Sequence, residues 1–114
     1  MLEKDNRLTK RKAFGYIYKN GEYKSGNNLT LMYVPTKLKK FKVGFSVSKK
    51  IGKAYIRNKV KRQLREAFKA FKTQINNRYN YIVVAKPTIT DKSFKEIKEE
   101  LFSILNKCGM IVNE

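Results

Sequence analysis

The chain has 114 residues, 41% of them hydrophobic, with seven Phe and seven Tyr: enough for one modest core, and too few for two ordinary domains. It carries 27 Lys or Arg against 9 Asp or Glu, a formal charge of +18, and self-repulsion on that scale in a folded chain points to a polyanionic partner. With Cys108 as its one cysteine and no histidine, it excludes an intrachain disulfide, a His/Cys zinc site and histidine acid–base chemistry.

Thr9 reads as the N-cap of a helix over Lys10 to Lys19, ended by Asn20-Gly21, a pair that tolerates left-handed backbone. On that helix Phe14 and Tyr18 lie four apart on one face, and Ala13 and Ile17 lie four apart on the face beside it. One face is expected to meet the core and the other to meet something else. Leu29 to Val34 reads as a strand stopped by Pro35 and a polar loop to Lys40. Lys42 to Ser48 alternates, with Val43, Phe45 and Val47 on one face and Lys42, Gly44, Ser46 and Ser48 on the other. These two strands predict an antiparallel hairpin with one open face.

Gly52 then breaks the backbone before a helix expected from about Ala54 to Thr73. From Lys49 to Lys72 there are ten Lys or Arg and one acid, Glu66. At about 100° per residue, Ile56, Val60, Leu64, Ala67, Phe68 and Phe71 gather on one stripe. Arg57, Asn58, Lys61, Arg62, Arg65, Lys69 and Lys72 gather on a neighbouring one, with Glu66 outside it. Tyr79 to Ala85 is continuously apolar apart from Asn80, as expected of a central strand covered on both sides, and Pro87 closes it. Ser93 and Glu96 form a Ser-x-x-Glu capping box opening an amphipathic helix to Cys108-Gly109, where the cysteine reads as a small apolar residue. The order helix, strand, strand, helix, strand, helix predicts an α/β (α+β) two-layer sandwich with a small mixed sheet, a single domain over 1–114.

Residues 1–87 balance to +19 and residues 88–114 to −1, so the C-terminal quarter is expected to be scaffold. Glu96, Glu99 and Glu100 share a helical neighbourhood but alternate with Lys95 and Lys98, which favours a solvated face over a Mg²⁺ site. No residue is expected to be catalytic or to ligate a metal. The phosphate-binding glycine motifs are absent. What remains is a surface of charge and aromatic rings, which favours RNA or single strands over duplex DNA. Apolar stretches such as Tyr81 to Ala85 are too short to cross a bilayer, and the opening Met-Leu-Glu-Lys-Asp has no apolar signal region. A cytoplasmic protein with no membrane partner is expected.

The segment Ser46-Val47-Ser48-Lys49-Lys50-Ile51-Gly52-Lys53-Ala54, followed by Arg57-Asn58-Lys59-Val60-Lys61-Arg62 and Arg65-Glu66, resembles the signature of the bacterial ribonuclease P protein subunit. Asn6-Arg7-Leu8, Phe14, Tyr18, Gly21 and the stretch Tyr79 to Pro87 extend the likeness over nearly the whole chain. The family's Arg-Asn-Arg triplet reads Arg57-Asn58-Lys59 here, and Lys keeps the charge without the planar two-pronged contact. The resemblance implies a left-handed βαβ crossover, against the general handedness rule. It implies a non-catalytic subunit, inactive alone, that joins a catalytic RNA to remove 5′ leaders from precursor tRNA, with the Mg²⁺ held mainly by the RNA. Arg7, Lys49, Lys50, Arg57, Asn58, Lys59, Lys61, Arg62 and Arg65 would contact the catalytic RNA. Phe14, Tyr18 and Tyr33, with Ser46 and Ser48, would line a cleft for the single-stranded leader. The alternative is a ribosomal or RNA-chaperone type binding module; a stand-alone metal nuclease lacks the clustered acids it needs.

Overall fold

A computed structural model describes residues 6–112. The opening segment, read above as lacking an apolar signal region, lies outside the described residues. Helix α1 (Arg11–Asn20) is followed by strands β1 (Glu22–Ser25), β2 (Leu29–Pro35) and β3 (Val43–Ser46), helix α2 (Ala54–Lys69), strand β4 (Tyr79–Ala85) and helix α3 (Phe94–Lys107). Short 3₁₀ turns, Lys49–Ile51 and Pro87–Asp91, follow β3 and β4.

The sheet runs in the order β1-β2-β4-β3, with β4 antiparallel to β2 and parallel to β3. The apolar run of β4 is explained by burial on both faces. Tyr81, Val83 and Ala85 join the core beneath α2 and α3, built on Leu29, Leu31, Leu64, Phe68, Leu101 and Leu105. Ile82 faces the other way and packs with Leu8, Ile17 and Val34, with Phe14, Met32 and Val84 half-buried around them. Helices α2 and α3 thus form the second layer, and α1 crosses only part of the opposite face.

The expected hairpin between residues 29–34 and 42–48 is not formed, because β4 lies between the two strands. A strand as apolar as β4 needs partners on both edges, and β2 and β3 supply them. The hairpin partner of β2 is instead β1, paired from Glu22 against Tyr33 to Ser25 against Thr30. Its sequence, Glu-Tyr-Lys-Ser, is exposed throughout and has no hydrophobic alternation to reveal it. Charged residues at such an edge discourage pairing with other chains.

Helix α1 is capped by Lys10 rather than Thr9, with no side-chain hydrogen bond, and Gly21 after it is extended at φ −79°, not left-handed. Glycine is needed there for space: a Cβ would come 2.7 Å from the Ile17 carbonyl oxygen and 2.9 Å from that of Tyr33. The chain can therefore turn from α1 into β1 against the backbone of β2. Helix α2 ends at Lys69, and a tightened stretch with Phe71 N–H donating to the Phe68 carbonyl and Gln74 to Phe71 replaces its expected last turn.

The capping box of α3 is present: Ser93 Oγ accepts from the Glu96 amide, and Glu96 Oε1 accepts from the Ser93 amide. Glu100 reaches from α3 to the β1–β2 turn, where Oε2 accepts the amides of Asn28 and Leu29 at 2.8 and 3.0 Å and Oε1 accepts Asn28 Nδ2 at 2.7 Å. The acids read as a solvated face thus include a cap and a clamp. Gly26 permits the clamp, since a Cβ there would lie 2.6 Å from Ile104 and 2.7 Å from Glu100.

Removing three hydrogen bonds to a part-buried carboxylate by Glu100→Ala is expected to cost about 2–3 kcal/mol in urea unfolding, with the Asn28 and Leu29 amides exchanging faster. The hydrogen bonds at Ser93 hold the Glu96 carboxyl below its ordinary 4.5. Because the folded value is the lower one, the stabilisation is present above pH 4.5 and is lost as pH falls through the folded value. Stability of a Glu96→Gln variant should accordingly fall less steeply below pH 4.5 than that of the unaltered chain.

Candidate nucleic-acid interface

The interface begins with the segment before α1. Asn6 is buried and donates from Nδ2 to the Phe41 carbonyl at 2.8 Å, while the Leu8 amide donates to the Val43 carbonyl at 2.9 Å. Between these anchors Arg7 forms a parallel bridge with Val43, so the segment covers the outer edge of β3. Leu8 is buried under α1 and the Arg7 side chain is exposed. An Asn-Arg-Leu run thus becomes a clamp, a cation and an apolar anchor.

Arg7 lines a cavity of about 250 Å³ with Leu8, Thr9, Phe14, Val43, Gly44, Phe45, Lys61 and Arg65. Residues from the expected catalytic-RNA set and from the expected leader set meet here, on four separate stretches of chain. A second hollow, about 390 Å³, runs along α2 between Asn58, Lys61, Arg62, Arg65 and Glu66. Glu66, expected outside the basic stripe, lines this hollow beside Arg62 and Arg65; it is also the one acid between Lys49 and Lys72. Positive potential therefore dominates the flank.

The basic residues wrap farther round α2 than one stripe. Arg57 falls almost in line with Leu64 on the helical wheel, so it is half-buried and its Nε is enclosed without a hydrogen-bond partner. Lys59 is exposed and lies about 160° round the helix from Lys61, on the side of Arg62. The structure thus does not bring Lys59 together with Lys61 and Arg65. Lys49 and Lys50 are exposed on the 3₁₀ turn, which the buried Ile51 anchors. Gly52 follows at φ 149°, a conformation that glycine adopts readily, and turns the chain into α2.

On the other side of the cavity, Phe14 rests against Gly44: a Cβ on that glycine would overlap the ring. Tyr18, one turn along the same flank of α1, is 47% exposed. Ser46 pairs with Val84 and so shares the α1 face of the sheet, and Ser48 is exposed with no capping hydrogen bond.

Tyr33 departs from this group. Strand side chains alternate, and Met32, not Tyr33, stands on the α1 face; a one-residue difference in a strand reverses the side. Tyr33 packs on the α2/α3 side, edge-on to Tyr79 with ring centroids 6.0 Å apart. Burial first, then hydrogen bonding to Cys108 and the neighbouring Glu22, push its phenol up to about 12. The residues missed from sequence are Met32 and Val84, which the pairing of β2 with β4, and not the local pattern, places on this face.

The acids of α3 are partly engaged in holding the fold. Glu96 is held in a cap and Glu100 in a turn, and among the described residues no three His, Cys, Asp or Glu side chains cluster as a metal site would require. Among the same residues no helix is long and apolar enough to cross a membrane.

Comparison with known proteins agrees with this geometry. The family model Ribonuclease P matches residues 2–109. The chain belongs to the ribonuclease P protein family. A ribonuclease P protein component of Caldanaerobacter subterraneus is 36% identical over 107 residues, covering 94% of this chain and 92% of the relative. One of Syntrophomonas wolfei is 33% identical over 110 residues, covering 96% and 92%. Among solved structures, a Staphylococcus aureus RNase P protein mutant superposes with a TM-score of 0.89 at 34% identity, covering 96% of this chain and 92% of that one. The Thermotoga maritima RNase P protein superposes at 0.82 with 27% identity, covering 89% and 96%. The mixed sheet with three helices is thus the ribonuclease P protein fold, and the role that goes with it is that of a protein subunit in an RNA-based, tRNA-processing endoribonuclease.

The contact between Phe14 and Gly44 can be measured as a coupling. Gly44→Ala should destabilise the protein by about 1–3 kcal/mol through overpacking, and most of that cost should vanish in a Phe14→Ala background. A double-mutant cycle in urea unfolding reads it; additive effects would place the ring elsewhere.

Proposed function

We propose that this ribonuclease P protein holds the catalytic RNA with α2 and its approaches and the single-stranded 5′ leader of precursor tRNA with the open part of the α1 face. The observation that carries this reading is the cavity in which Arg7, Lys61 and Arg65 meet Phe14. Cations alone would suit any polyanion; cations beside a ring on an uncovered sheet suit a strand whose bases are unstacked.

In this reading Lys49, Lys50, Arg57, Asn58, Lys59, Lys61, Arg62 and Arg65, with Arg7, neutralise phosphates of the catalytic RNA. Lys59 faces one part of that RNA and Lys61 and Arg65 another, given their separation round the helix, with Arg62 between them. Phe14 and Tyr18 stack leader bases over a floor that includes Ser46, with Ser48 at its end, and Met32 takes the place expected for Tyr33. The protein performs no bond-breaking step. Mg²⁺ bound mainly by the RNA carries the hydrolysis, and the protein lowers the Mg²⁺ requirement by screening phosphate repulsion and raises affinity for leader-bearing substrate. The site of action is the cytoplasm. A ribosomal or RNA-chaperone module would use the basic flank but leave the Phe14 cavity without a role.

The deciding assay is cleavage of precursor tRNA with and without catalytic RNA. The protein should be inert alone and should stimulate multiple turnover by the RNA at low Mg²⁺; cleavage by protein alone would overturn the reading. If six to eight phosphates are neutralised, log affinity for the catalytic RNA against log salt should slope at about −4 to −7, and Arg62→Ala should flatten it by about one. Phe14→Ala or Tyr18→Ala should cost about 1–3 kcal/mol with leader-bearing substrate and almost nothing with mature tRNA, measured by equilibrium binding to the holoenzyme.

A further inference from the structure

The edge strand β1 puts one more aromatic ring on the α1 face. Tyr23 pairs with Met32, and Met32 in turn pairs with Ile82, which pairs with Gly44, so these four residues form one row across the same face of all four strands. Phe14 sits over the Gly44 end of that row. Tyr23 stands at the opposite end, three strand spacings or roughly 14 Å away. Its ring is 69% exposed, more than that of Tyr18. Tyr18 is in the last turn of α1, and the close approach of Gly21 to the β2 backbone sends the chain directly from that turn into β1. Tyr18 therefore lies between the other two rings along the face.

The chemistry around Tyr23 suits a nucleic-acid backbone. Its neighbour across the next row, Ser25, accepts a hydrogen bond at 2.6 Å from Lys86 Nζ, which also donates to the Gly26 carbonyl at 2.6 Å. Both acceptors are neutral, so neither offsets the positive charge of the lysine at that margin of the face.

We propose that the leader path continues beyond Phe14 and Tyr18 onto β1, where Tyr23 stacks a further leader base farther from the cleavage site. This rests on the leader-binding reading above and extends it. The direction follows from the layout: the basic flank of α2, where the catalytic RNA is held, adjoins the Phe14 end of the row. Because Ile82 is buried under α1, a strand leaving that end crosses β4 and β2 over the adjoining row of Ser46, Val84, Thr30 and Ser25 and exits over β1, so Tyr23 meets nucleotides on the 5′ side of those at Phe14. The occupant is a single strand, because a duplex keeps its bases stacked on one another and offers none to an isolated ring.

The test uses reconstituted holoenzyme and a series of precursor tRNAs whose leaders lengthen one nucleotide at a time. With the unaltered protein, affinity should rise with leader length to a plateau. With Tyr23→Ala the plateau should come at a shorter leader, with a loss of about 5- to 150-fold on long leaders and none on short ones. Tyr23→Phe should behave as the unaltered protein. Phe14→Ala should lose affinity on short and long leaders alike. If Tyr23→Ala matches the unaltered protein at every length while Phe14→Ala still shows its leader-dependent loss, the extension fails and the leader-binding reading stands. If neither variant depends on the leader, both fail. A loss with Tyr23→Ala that is equal at all lengths would overturn the extension as well.

Discussion

Strand β4 is hydrogen-bonded on both edges and buried on both faces, and the location of every other part follows from that. Its parallel edge requires β3, and the distance between the end of β3 and the start of β4 requires a crossover, which α2 provides. Its antiparallel edge requires β2, which leaves β1 as the outer strand. The side chains of Tyr81, Val83 and Ala85 need the α2/α3 layer, while Ile82 needs something on the other side and gets Ile17 and Leu8. On that second face Ile82 and Val34 are the strand side chains buried against α1 and its approach, while Met32 and Val84 stay half-buried, so part of the face is left uncovered. The opening that would receive RNA is thus the part of the sheet for which the chain has no further helix.

Charge is arranged around this frame without disturbing it. The core side of α2 is apolar at Val60, Leu64, Ala67 and Phe68, most of the cations occupy the remaining arc of the helix, and Arg57, nearly in line with Leu64, is half-buried because of it. Lysine and arginine stems can lie along apolar surface while their heads stay in water, which lets so many of them share one helix with a tight core. The acids are spent elsewhere. Glu100 and Glu96 are engaged by backbone amides of the β1–β2 turn and of the start of α3, and neither lines the hollow along the basic flank of α2.

Much of this could be read from residue order alone. The apolar run at 79–85 announced a central strand, the stripe on α2 announced its buried side, and the Ser93–Glu96 box announced the start of α3. The failures share a cause, which is that local pattern does not say who pairs with whom. β1 is short, polar and exposed, so nothing in Glu-Tyr-Lys-Ser distinguishes it from a loop, and without it β2 was matched to the wrong neighbour. The misplacement of Tyr33 is subtler. Both 32 and 33 are large and apolar enough to line a cleft, and only the register of β2 against β4 decides which one faces α1. The joining of Arg7 to Lys61 and Arg65 was likewise illegible, since it depends on the Asn6 side chain docking on Phe41 across 35 positions.

The middle strand is also the last one synthesised. Until residue 85 has left the ribosome, β2 and β3 have no strand between them, and β1 with β2 is a two-stranded hairpin of the kind that is marginal in water. Contacts that close a sheet over such long separations form late and leave apolar edges exposed meanwhile. Through that interval the growing chain is also a highly cationic polymer, and its repulsion opposes premature collapse and association with other copies. Binding to RNA that favours the folded form would then complete the sheet and relieve the repulsion together. On this view the surplus charge that selects the partner also protects the chain before its central strand exists.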